Sequence, residues 1–444
     1  MAREIPSASL LEGVRFTLVG VLPNVLQGLF RRRPRIVALA RWLDVDRRAV
    51  GALAALRRRH GEGALWIRTL AGRVLLLLSV DDVRSVLEGA PEPFAADPEA
   101  KRRGMSHFQP HALTISRGET WEQRRELTEA VLDTGEPRHR LADRFLVVCR
   151  EESEAMLAEA GGELDWGRFH EAIGRITRRI VLGNAARADV EVSRLLATLM
   201  DEANRLPKQR SESFEPFAAK VRGYAEAGEE GSLAGLLAEQ PAEEGTDPPG
   251  QLPHWMFAMH DTLAANAFRA LALIASHPLQ RAEAEGELAA AGGEQALASA
   301  EAVGGLTYLE ACLQEAMRLW PTTTLLSREA VEWTTLGGAA VAAGTQVLIS
   351  NTFNHRDGDR HEFADRFAPE AWTDGDAAED WFFNHFSHGP RGCPGAGIAL
   401  FLGKAVLANL LATRKVRLLD SRLDPERPVP HMLDPFRLRF SLTG

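Results

Sequence analysis

The chain has 444 residues, of which 45% are hydrophobic and 25% charged, and its formal net charge is −9. This composition is typical of a soluble globular protein, and the acidic balance argues against general nucleic-acid binding. The three cysteines Cys149, Cys312 and Cys393 are too few for a disulfide framework, so we expect a reducing, cytoplasmic location.

Residues 1–39 are expected to form a separate N-terminal segment. The stretch from Val14 to Phe30 is largely apolar, but Arg15, Pro23 and Asn24 interrupt it, which disfavours a transmembrane helix. A signal peptide is also disfavoured, because no clear small-residue cleavage site is present. We expect this segment to pack on the protein's own body, in preference to contact with a membrane surface.

Residues 40–444 are expected to form one mainly α-helical domain with a small β-rich portion. Apolar periodicity predicts helices over residues 40–60, 82–88, 119–133, 140–160, 166–182, 189–204, 213–228, 251–277 and 306–319, with a looser helical stretch over 282–305. Strand patterns predict a hairpin over 65–80, short strands within 322–352, and strands near 416–419 and 437–442. Two stretches lack a clear period: 91–116, whose length indicates a functional loop, and the linker 240–250.

The most informative stretch is a loop rich in glycine and proline that runs from Phe386 to Gly395, directly before an apolar helical pattern. Its glycines allow sharp turns and a close approach to a flat, bulky group. Cys393 stands at the start of the helix, where the dipole and unpaired N–H groups favour a thiolate, a soft metal ligand. For a lone cysteine, a buried core residue would be the better interpretation.

All fixed positions of the pattern F-x-x-G-x-R-x-C-x-G are present in this loop, which resembles the haem-binding loop of the cytochrome P450 family. The resemblance covers nearly the whole chain from about residue 40 and is closest in character to the soluble bacterial members. It implies the P450 fold, a helical core around haem with a small β-rich subdomain. It also implies haem b (iron protoporphyrin IX), with Cys393 as the axial thiolate ligand of the iron.

Further motifs follow in the order that the family has. The resemblance implies that seven residues besides the cysteine bind the cofactor: Trp121, Arg125, Ala258, Arg328, Phe386, Arg391 and Gly395. Trp121 and Arg125 belong to a W-x-x-x-R motif whose i,i+4 spacing places both on one helix face. Arginines can neutralise the two haem propionates, since buried carboxylates need cationic partners.

Three other residues are expected to be structural. Glu315 and Arg318 form an E-x-x-R motif with i,i+3 spacing, so the two side chains can pair. The segment Ala364-Asp365-Arg366-Phe367 resembles the family's P-E-R-F segment, although its first proline is missing and its acid is shorter. The resemblance therefore implies a buried cluster of Glu315, Arg318 and Arg366 that holds the cysteine loop in place.

Asp261 and Thr262 on the long helix match the acid–alcohol pair of the family's A-G-x-D/E-T pattern. In the family this pair delivers protons during dioxygen activation. Met259 replaces the usual glycine, which relaxes the helix where oxygen and water lie. An Asp-Thr dipeptide on a helix would otherwise be interpreted as part of a solvated face.

The resemblance also implies partners and a substrate pocket. We expect a ferredoxin- or flavodoxin-type electron donor with its reductase, because no nucleotide fingerprint or cysteine cluster is present. An acidic donor would dock on a cationic face formed by Arg117, Arg124 and Lys404, with an ordinary solvated face as the equal alternative. The expected substrate is small and hydrophobic, because the candidate pocket residues are mostly apolar: Phe108, His111, Ala112, Leu113, Thr324, Leu325, Met432 and Leu433.

The sequence thus favours a haem-thiolate monooxygenase that inserts one oxygen atom into a small organic molecule. Coupling or ring closure in place of hydroxylation would use the same residues. The alternative from another class is a haem-binding sensor or carrier without turnover, in which Met259 closes the oxygen groove.

Overall fold

The computed structural model of the chain describes residues 4–70, 72–205, 209–241, 245–419 and 422–443, so residues 242–244 of the predicted linker lie outside it. The N-terminal third contains short helices and three strands: α1 (Leu10–Phe16), α2 (Leu22–Gln27), α3 (Pro34–Trp42), α4 (Val45–His60), β1 (Ala64–Thr69), β2 (Gly72–Leu77), α5 (Val80–Glu88), β3 (Phe94–Ala95) and α6 (Glu99–Met105).

The middle of the chain is almost entirely helical. Its elements are α7 (Gly118–Leu132), α8 (Ala142–Ala160), β4 (Glu163–Asp165), α9 (Trp166–Leu182), α10 (Val190–Ala203), α11 (Phe214–Ala227), α12 (Leu233–Ala238), α13 (Leu252–Phe257), α14 (Leu263–Ser276), α15 (Pro278–Ala290), α16 (Ala300–Gly304) and α17 (Thr307–Leu319). The C-terminal part returns to strands: β5 (Leu325–Ala330), β6 (Thr334–Leu336), β7 (Ala339–Val341), β8 (Gln346–Ser350), α18 (Asn351–Asn354), α19 (Glu370–Thr373), α20 (Ala396–Thr413), β9 (Lys415–Leu418) and β10 (Arg439–Thr443).

The core of the molecule is the contact between α8, α9, α14, α17 and α20, whose apolar side chains form one buried cluster. The helix α20 is apolar around its whole circumference and long enough to cross a membrane, but most of it is buried inside the protein. A Cβ on Gly403 would lie 2.3 Å from Leu313 Cδ2 and 3.4 Å from Leu263 Cδ1. The small residue therefore lets α14 and α17 approach α20 closely.

Three small sheets accompany the helices. The largest has the strand order β1-β2-β8-β5-β3, in which β2 and β8 are parallel and the other pairs antiparallel. Its register sets Leu75 opposite Val347 and Leu326 opposite Ile349. Since Leu75, Val347 and Ile349 are fully buried, the sheet has an apolar core of its own beside the helices. This architecture confirms the predicted mainly α fold with a small β-rich portion.

The N-terminal segment packs on the largest sheet. Trp66 N–H of β1 donates to the Pro6 carbonyl at 2.9 Å, and the Trp66 carbonyl accepts from Ala8 N–H at 2.8 Å. Phe16 of α1 is buried against β1 and α4, whereas Leu11 and Leu18 on the outer side of the segment are exposed. The boundary expected at residue 40 falls inside α3, which spans Pro34–Trp42.

Three predicted elements differ from the structure. The helix expected over 40–60 is divided between α3 and α4, because Asp44 has a φ of 49° and interrupts the helical path. The stretch 91–116 was expected to be irregular but contains β3 and the seven-residue helix α6, too short for a periodic signal. The helix expected over 251–277 contains a π-helical turn at Ala258–Thr262, between α13 and α14.

A buried ion pair connects α17 to the segment that leads towards the cysteine loop. Glu315 and Arg318 are both completely buried, and Arg318 Nε and Nη2 donate to the two Glu315 carboxylate oxygens at 2.5 and 2.8 Å. Arg318 also donates to the backbone carbonyls of His355, Ala364 and Arg366, at 2.9, 3.0 and 2.9 Å. Arg318 thus donates hydrogen bonds to backbone carbonyls of a loop that has no regular backbone hydrogen bonding of its own.

The other side of the pair is equally well bonded. The Glu315 carboxylate accepts from Ala368 N–H at 2.9 Å and from Trp372 Nε1 at 2.8 Å. The prediction that the Arg366 side chain joins this cluster was wrong, since Arg366 is exposed and contributes only its carbonyl. A different buried arginine, Arg356, lies beside the cluster and pairs with Asp365 at 2.8 Å.

Replacing Glu315 with alanine should lower the free energy of unfolding by roughly 3–5 kcal/mol, because the Arg318 charge would be left buried without its partner. Arg366→Ala is the matched control and should change stability by no more than about 0.5 kcal/mol, since its side chain lies at the surface. Denaturant unfolding of the two variants measures both values. Equal stabilities would show that the buried pair does not hold this segment.

Candidate functional site

The cysteine loop is held by backbone contacts on both sides. Cys393 N–H donates to the Phe386 carbonyl at 2.8 Å, and Thr134 Oγ1 on the α7 side donates to the Pro394 carbonyl at 2.8 Å. Gly389 has a φ of 68°, and a Cβ there would lie 2.5 Å from the Leu87 carbonyl oxygen. Only glycine therefore fits at position 389, as the sequence predicted for this loop.

The Cys393 thiol keeps solvent-accessible surface although it lies deep among protein atoms, three residues before α20 begins. Burial raises the pKa of this thiol, while the Gly395 N–H that it accepts from and the Arg125 charge act in the opposite direction. The expected stabilisation of a thiolate by the helix start is thus present but smaller than the cost of burial. A metal cation bound to the sulfur would supply the missing stabilisation.

Beside the loop, two arginines lack a full set of partners. Arg328 is buried, and its Nη2 donates to Ser387 Oγ at 3.1 Å, but its Nε has no hydrogen-bond partner. Arg391 lies over the ring of Trp121, with its Cζ 4.1 Å from the ring centroid, and its Nε is also unpartnered. Burial lowers the pKa of each arginine to about 10, and their mutual repulsion adds to the decrease for Arg328.

A third cation at this place, Lys101 of α6, is one that sequence reasoning missed. Its Nζ donates to Thr114 Oγ1 at 2.8 Å and to the Ala96 carbonyl at 3.0 Å. Burial, together with the charges of Arg328 and Arg391, lowers the pKa of Lys101 to about 7. Its position in a stretch without periodicity left no sequence signal beyond its charge.

These residues fit a haem. Three cations lie together at this place, and two of them have unpartnered N–H groups. Burial and mutual repulsion destabilise their charged forms. An anionic group would offset both the desolvation and the repulsion. Haem carries two propionates and binds a thiolate through its iron, so it supplies both the anions and the metal that this site calls for. Arg328, Arg391 and Lys101 would hold the propionates, and Cys393 the iron.

Trp121 and Arg125 lie where the W-x-x-x-R motif predicts, on one face of α7 beside the cysteine loop. The Arg125 side chain contacts the loop itself, because its Nη1 donates to the Gly392 carbonyl at 2.7 Å while its Nε pairs with Glu129 at 2.5 Å. The structure therefore shows Arg125 supporting the cysteine loop. A contact between Arg125 and a propionate stays a prediction.

The π-helical turn at Ala258–Thr262 carries the acid–alcohol pair. Ala258 is exposed and Thr262 half-buried, although both lie on a helix that otherwise belongs to the core. Met259 is buried and packs in the main apolar cluster. The helix is widened here without the glycine that the family pattern has, so the Met259 side chain is directed into the core while Ala258 faces open space.

Asp261 has a partner that the sequence did not indicate. Its Oδ1 lies 2.7 Å from Nε2 of His170, a residue of α9. Although burial acts to raise it, the pKa of Asp261 is lowered by the hydrogen bond from His170 and by the nearby His260, His170 and Arg31 charges. The carboxylate is therefore ionised at neutral pH and can accept a proton.

The predicted pocket residues do not form one wall. Phe108 is fully buried and contacts Phe257 on the long helix edge-on, with ring centroids 5.4 Å apart. Phe108 and His111 line a cleft against α11, whose other lining residues include Phe214 and Phe217. Among the described residues, six predicted wall residues lie outside this cleft: Ala112, Leu113, Thr324, Leu325, Met432 and Leu433.

The other members of the predicted wall have structural contacts. Ala112 and Leu113 are buried, and Leu113 N–H donates to Gln251 Oε1 at 2.9 Å. Thr324 Oγ1 donates to Asn24 Oδ1 at 2.6 Å, and the Leu433 carbonyl accepts from Arg269 Nη2 at 3.0 Å.

The predicted cationic docking face was wrong. Arg124 and Lys404 are both buried, with Arg124 donating to Ser116 Oγ at 2.7 Å and Lys404 pairing with Glu310 at 2.7 Å. Arg117 is bound by Asp97 at 2.8 Å and also contacts Glu329. Arg124 and Lys404 therefore lie inside the protein, and the exposed Arg117 is already paired with carboxylates, so the three residues do not form one free cationic face.

The chain is similar to proteins of one family. A family model described as "Cytochrome P450" matches residues 250–433. "Cytochrome P450 4c3" of Drosophila melanogaster is 30% identical over 211 residues, which are 45% of this chain and 39% of that protein. "Cytokinin hydroxylase" of Arabidopsis thaliana is 25% identical over 352 residues, 70% of this chain and 67% of the relative. The chain thus spans between about two fifths and two thirds of the length of these curated relatives.

Solved structures with the same fold cover more of the chain. The retinoic-acid-bound cyanobacterial CYP120A1 has a TM-score of 0.69 at 19% identity and covers 88% of this chain and 93% of its own. The cytochrome P450 CYP102L1 has a TM-score of 0.73 at 17% identity, covering 89% and 94%. At these identities the similarity establishes the fold.

If Cys393 is the axial ligand, the reduced protein with carbon monoxide should show the strongly red-shifted absorption band of a haem thiolate, and Cys393→Ser should lose it. Cys149 and Cys312 are completely buried, so Cys149→Ala and Cys312→Ala serve as controls that should keep the band. A red-shifted band in folded, haem-loaded Cys393→Ser would exclude this cysteine as the ligand.

Replacing Lys101 with methionine should weaken haem binding roughly tenfold or more, because a charge-assisted hydrogen bond contributes about 1.5–3 kcal/mol. Arg103→Met removes a charge from the exposed side of the same helix and is the matched control. Haem transfer to an excess of an apo-haem acceptor protein measures the difference. Equal loss rates from the two variants would place Lys101 outside the propionate site.

Proposed function

We propose that this chain, which belongs to the cytochrome P450 family, is a haem-thiolate monooxygenase that oxidises a small, mostly hydrophobic organic molecule. The observation that carries this proposal is the pairing of two features: a cysteine loop with cations suited to propionates, and a widened helical turn that carries Asp261 and Thr262. A protein that only stored or sensed haem would need the first feature and not the second.

The proposed cofactor is haem b, with Cys393 as its axial ligand. Bound through a thiolate, it supplies the activation of dioxygen and the transfer of one oxygen atom to the substrate. The described residues then have separate tasks. Arg328, Arg391 and Lys101 neutralise the propionates, and the Glu315–Arg318 pair keeps the preceding segment in position.

Asp261 and Thr262 are proposed to control protons. The Thr262 hydroxyl can donate and accept hydrogen bonds and thereby hold a water molecule in the widened turn. The ionised Asp261 carboxylate accepts protons from the solvent side and passes them towards that water. Because oxygen cleavage consumes protons, their delivery decides whether electrons end in product or in released peroxide.

The proposed substrate is small and hydrophobic. In support, Phe108 joins Phe257 and Phe30 in an aromatic cluster beside Ala258, with ring centroids 5.4 and 5.7 Å apart. Apolar surroundings favour apolar ligands. The cleft that Phe108 lines against α11 also has a charged rim that includes Arg222 and Asp247, which suits a substrate with one polar end.

Electrons are proposed to come from a separate ferredoxin- or flavodoxin-type donor with its reductase. The buried or paired state of Arg117, Arg124 and Lys404 means that such a donor would use other residues to dock. The alternative function, a sensor or carrier whose oxygen groove is closed by Met259, loses its main support because that side chain packs in the core.

The experiment that tests the proposed class is electron consumption. The haem-loaded protein is combined with a surrogate ferredoxin and reductase, and NADPH oxidation is followed with members of a hydrophobic compound library, each first selected by an optical shift of the haem. A substrate-dependent rise with product that contains one oxygen atom from dioxygen supports a monooxygenase. Ligand shifts without any electron consumption would favour a carrier.

Thr262→Ala should keep the carbon monoxide band and the rate of electron uptake but form less product per electron, by about tenfold, with a matching increase in peroxide. The reason is that oxygen is still reduced while its protons are misdirected. Asp261→Asn should instead slow turnover.

Thr413→Ala is the control, because it also removes a hydroxyl from a helix but at the far end of α20. Product and peroxide are measured for each electron consumed. An unchanged product yield in Thr262→Ala would mean that another group, such as a substrate hydroxyl, supplies the protons.

A further inference from the structure

Asp261 is connected to the outside of the protein by a histidine from another helix. His170, on α9, has its Nε2 2.7 Å from Asp261 Oδ1. The side chains of His170 and Asp261 are 28% and 35% exposed, so neither is sealed in the core. They open into a small cleft that Arg31, Ser193 and Met200 also line.

The position of His170 is fixed by the residues around it. The ring of His260 stacks on that of His170, with centroids 4.2 Å apart, and His260 Nε2 donates to the His170 carbonyl at 3.1 Å. On the other side, Trp166 lies 5.1 Å from the His170 ring. A Cβ on Gly174 would lie 2.8 Å from His260 Nε2, so a glycine one turn after His170 is what admits the His260 ring.

His260 is kept in its neutral form by burial. Burial lowers the pKa of His260 to about 4, with repulsion from His170 acting in the same direction, so His260 is neutral at neutral pH. Its N–H is also occupied by the His170 carbonyl. His260 is therefore a support for the cluster, and the half-buried imidazole that contacts the carboxylate is His170.

The charges that face this pair come from every neighbouring element. Arg31 of the N-terminal segment, itself bound by Asp201 of α10, lies in the same cleft, and Arg178 and Glu171 are on α9 with His170. Donor atoms of His170, His260 and Asp261 lie within 4.8 Å of one another, an arrangement that also suits a metal ion. His170 Nε2 and Asp261 Oδ1 already bind each other directly at 2.7 Å without an ion between them, which favours a proton pathway.

We propose that His170 is the positioning residue that recharges Asp261 with protons from solvent, an inference that rests on the monooxygenase function proposed above. In the step, the His170 imidazolium gives its Nε2 proton to the Asp261 carboxylate, and the neutral imidazole then takes a proton from a hydronium ion or a buffer acid in the cleft, which leaves water or the buffer base in the solvent. Asp261 passes its proton to the water held by Thr262. No electrons move among these side chains, and the net change is one proton carried inward.

An imidazole is suited to this place because it exchanges a proton near neutral pH, whereas a lysine or arginine at the same site would hold its proton. A relay through His170 makes product formation depend on pH, because the donor form is lost as the pH rises. The glutamine amide can donate an N–H hydrogen bond to Asp261 but cannot take up or release a proton near neutral pH. His170→Gln therefore separates proton transfer from hydrogen bonding.

The test compares the haem-loaded wild type with His170→Gln. We expect product per electron to fall roughly tenfold in the variant, with more peroxide, a larger solvent deuterium effect and loss of the fall in yield towards high pH. The matched control is His60→Gln, which removes another helix imidazole that contacts a carboxylate, Glu12, at 3.2 Å. Its yield and pH profile should equal those of the wild type.

A second readout does not depend on turnover. In the carbon monoxide complex, the ring resonance that is missing in His170→Gln identifies His170, and its chemical shift should change in Asp261→Asn because the contact between the two side chains is altered. The inference is overturned if this chemical shift does not change, or if His170→Gln keeps the wild-type pH profile and yield. A wild-type protein that oxidises no substrate, while the chemical shift still changes, would instead contradict the proposed function and leave the proton contact in place.

Discussion

The ion pair of Glu315 and Arg318 is the interaction on which the rest of the structure depends. Both charges are fully buried, and together they bind six backbone or ring groups of the segment from His355 to Trp372. A buried pair of this kind adds little net stability, since its desolvation is costly, but a wrong arrangement of the segment would strand a charge. It therefore specifies one path for the chain that precedes the cysteine loop.

The functional site has the opposite electrostatic character. At the ion pair every charge is satisfied, whereas Arg328, Arg391 and Lys101 form a group of neighbouring cations whose pKa values are lowered by burial and repulsion. A protein tolerates such a cost where an anionic ligand offsets it. The same reasoning applies to the Cys393 thiol, whose raised pKa in surroundings of low polarity is reversed once sulfur binds a metal.

The long internal helix, which runs from α13 through the π-helical turn to α14, lies between the functional site and the solvent-facing histidine pair. Its π-helical turn exposes Ala258 to open space while Met259 remains in the core, so the backbone provides the widening for which the cytochrome P450 sequence pattern has a glycine. Leu263, the residue after Thr262, packs where α14 and α17 cross α20 near Gly403. This crossing places Thr262 and the cysteine loop on adjoining rigid elements. The His170 ring of α9 stacks on His260 of the same long helix and so connects that helix to the surface.

The sequence by itself determined the class of fold, the cysteine loop and the order of the motifs, because these depend on local spacing: glycine at position 389, i,i+3 for Glu315 and Arg318, and apolar periodicity in the long helices. Only the tertiary structure decided which charges are buried. The Arg366 side chain lies at the surface, outside the cluster. Arg124 and Lys404 are buried in the interior. Lys101 and His170 come to the site from distant positions in the chain. The physical reason is that pairing and burial are set by contacts between elements far apart in the chain, and no local pattern records them.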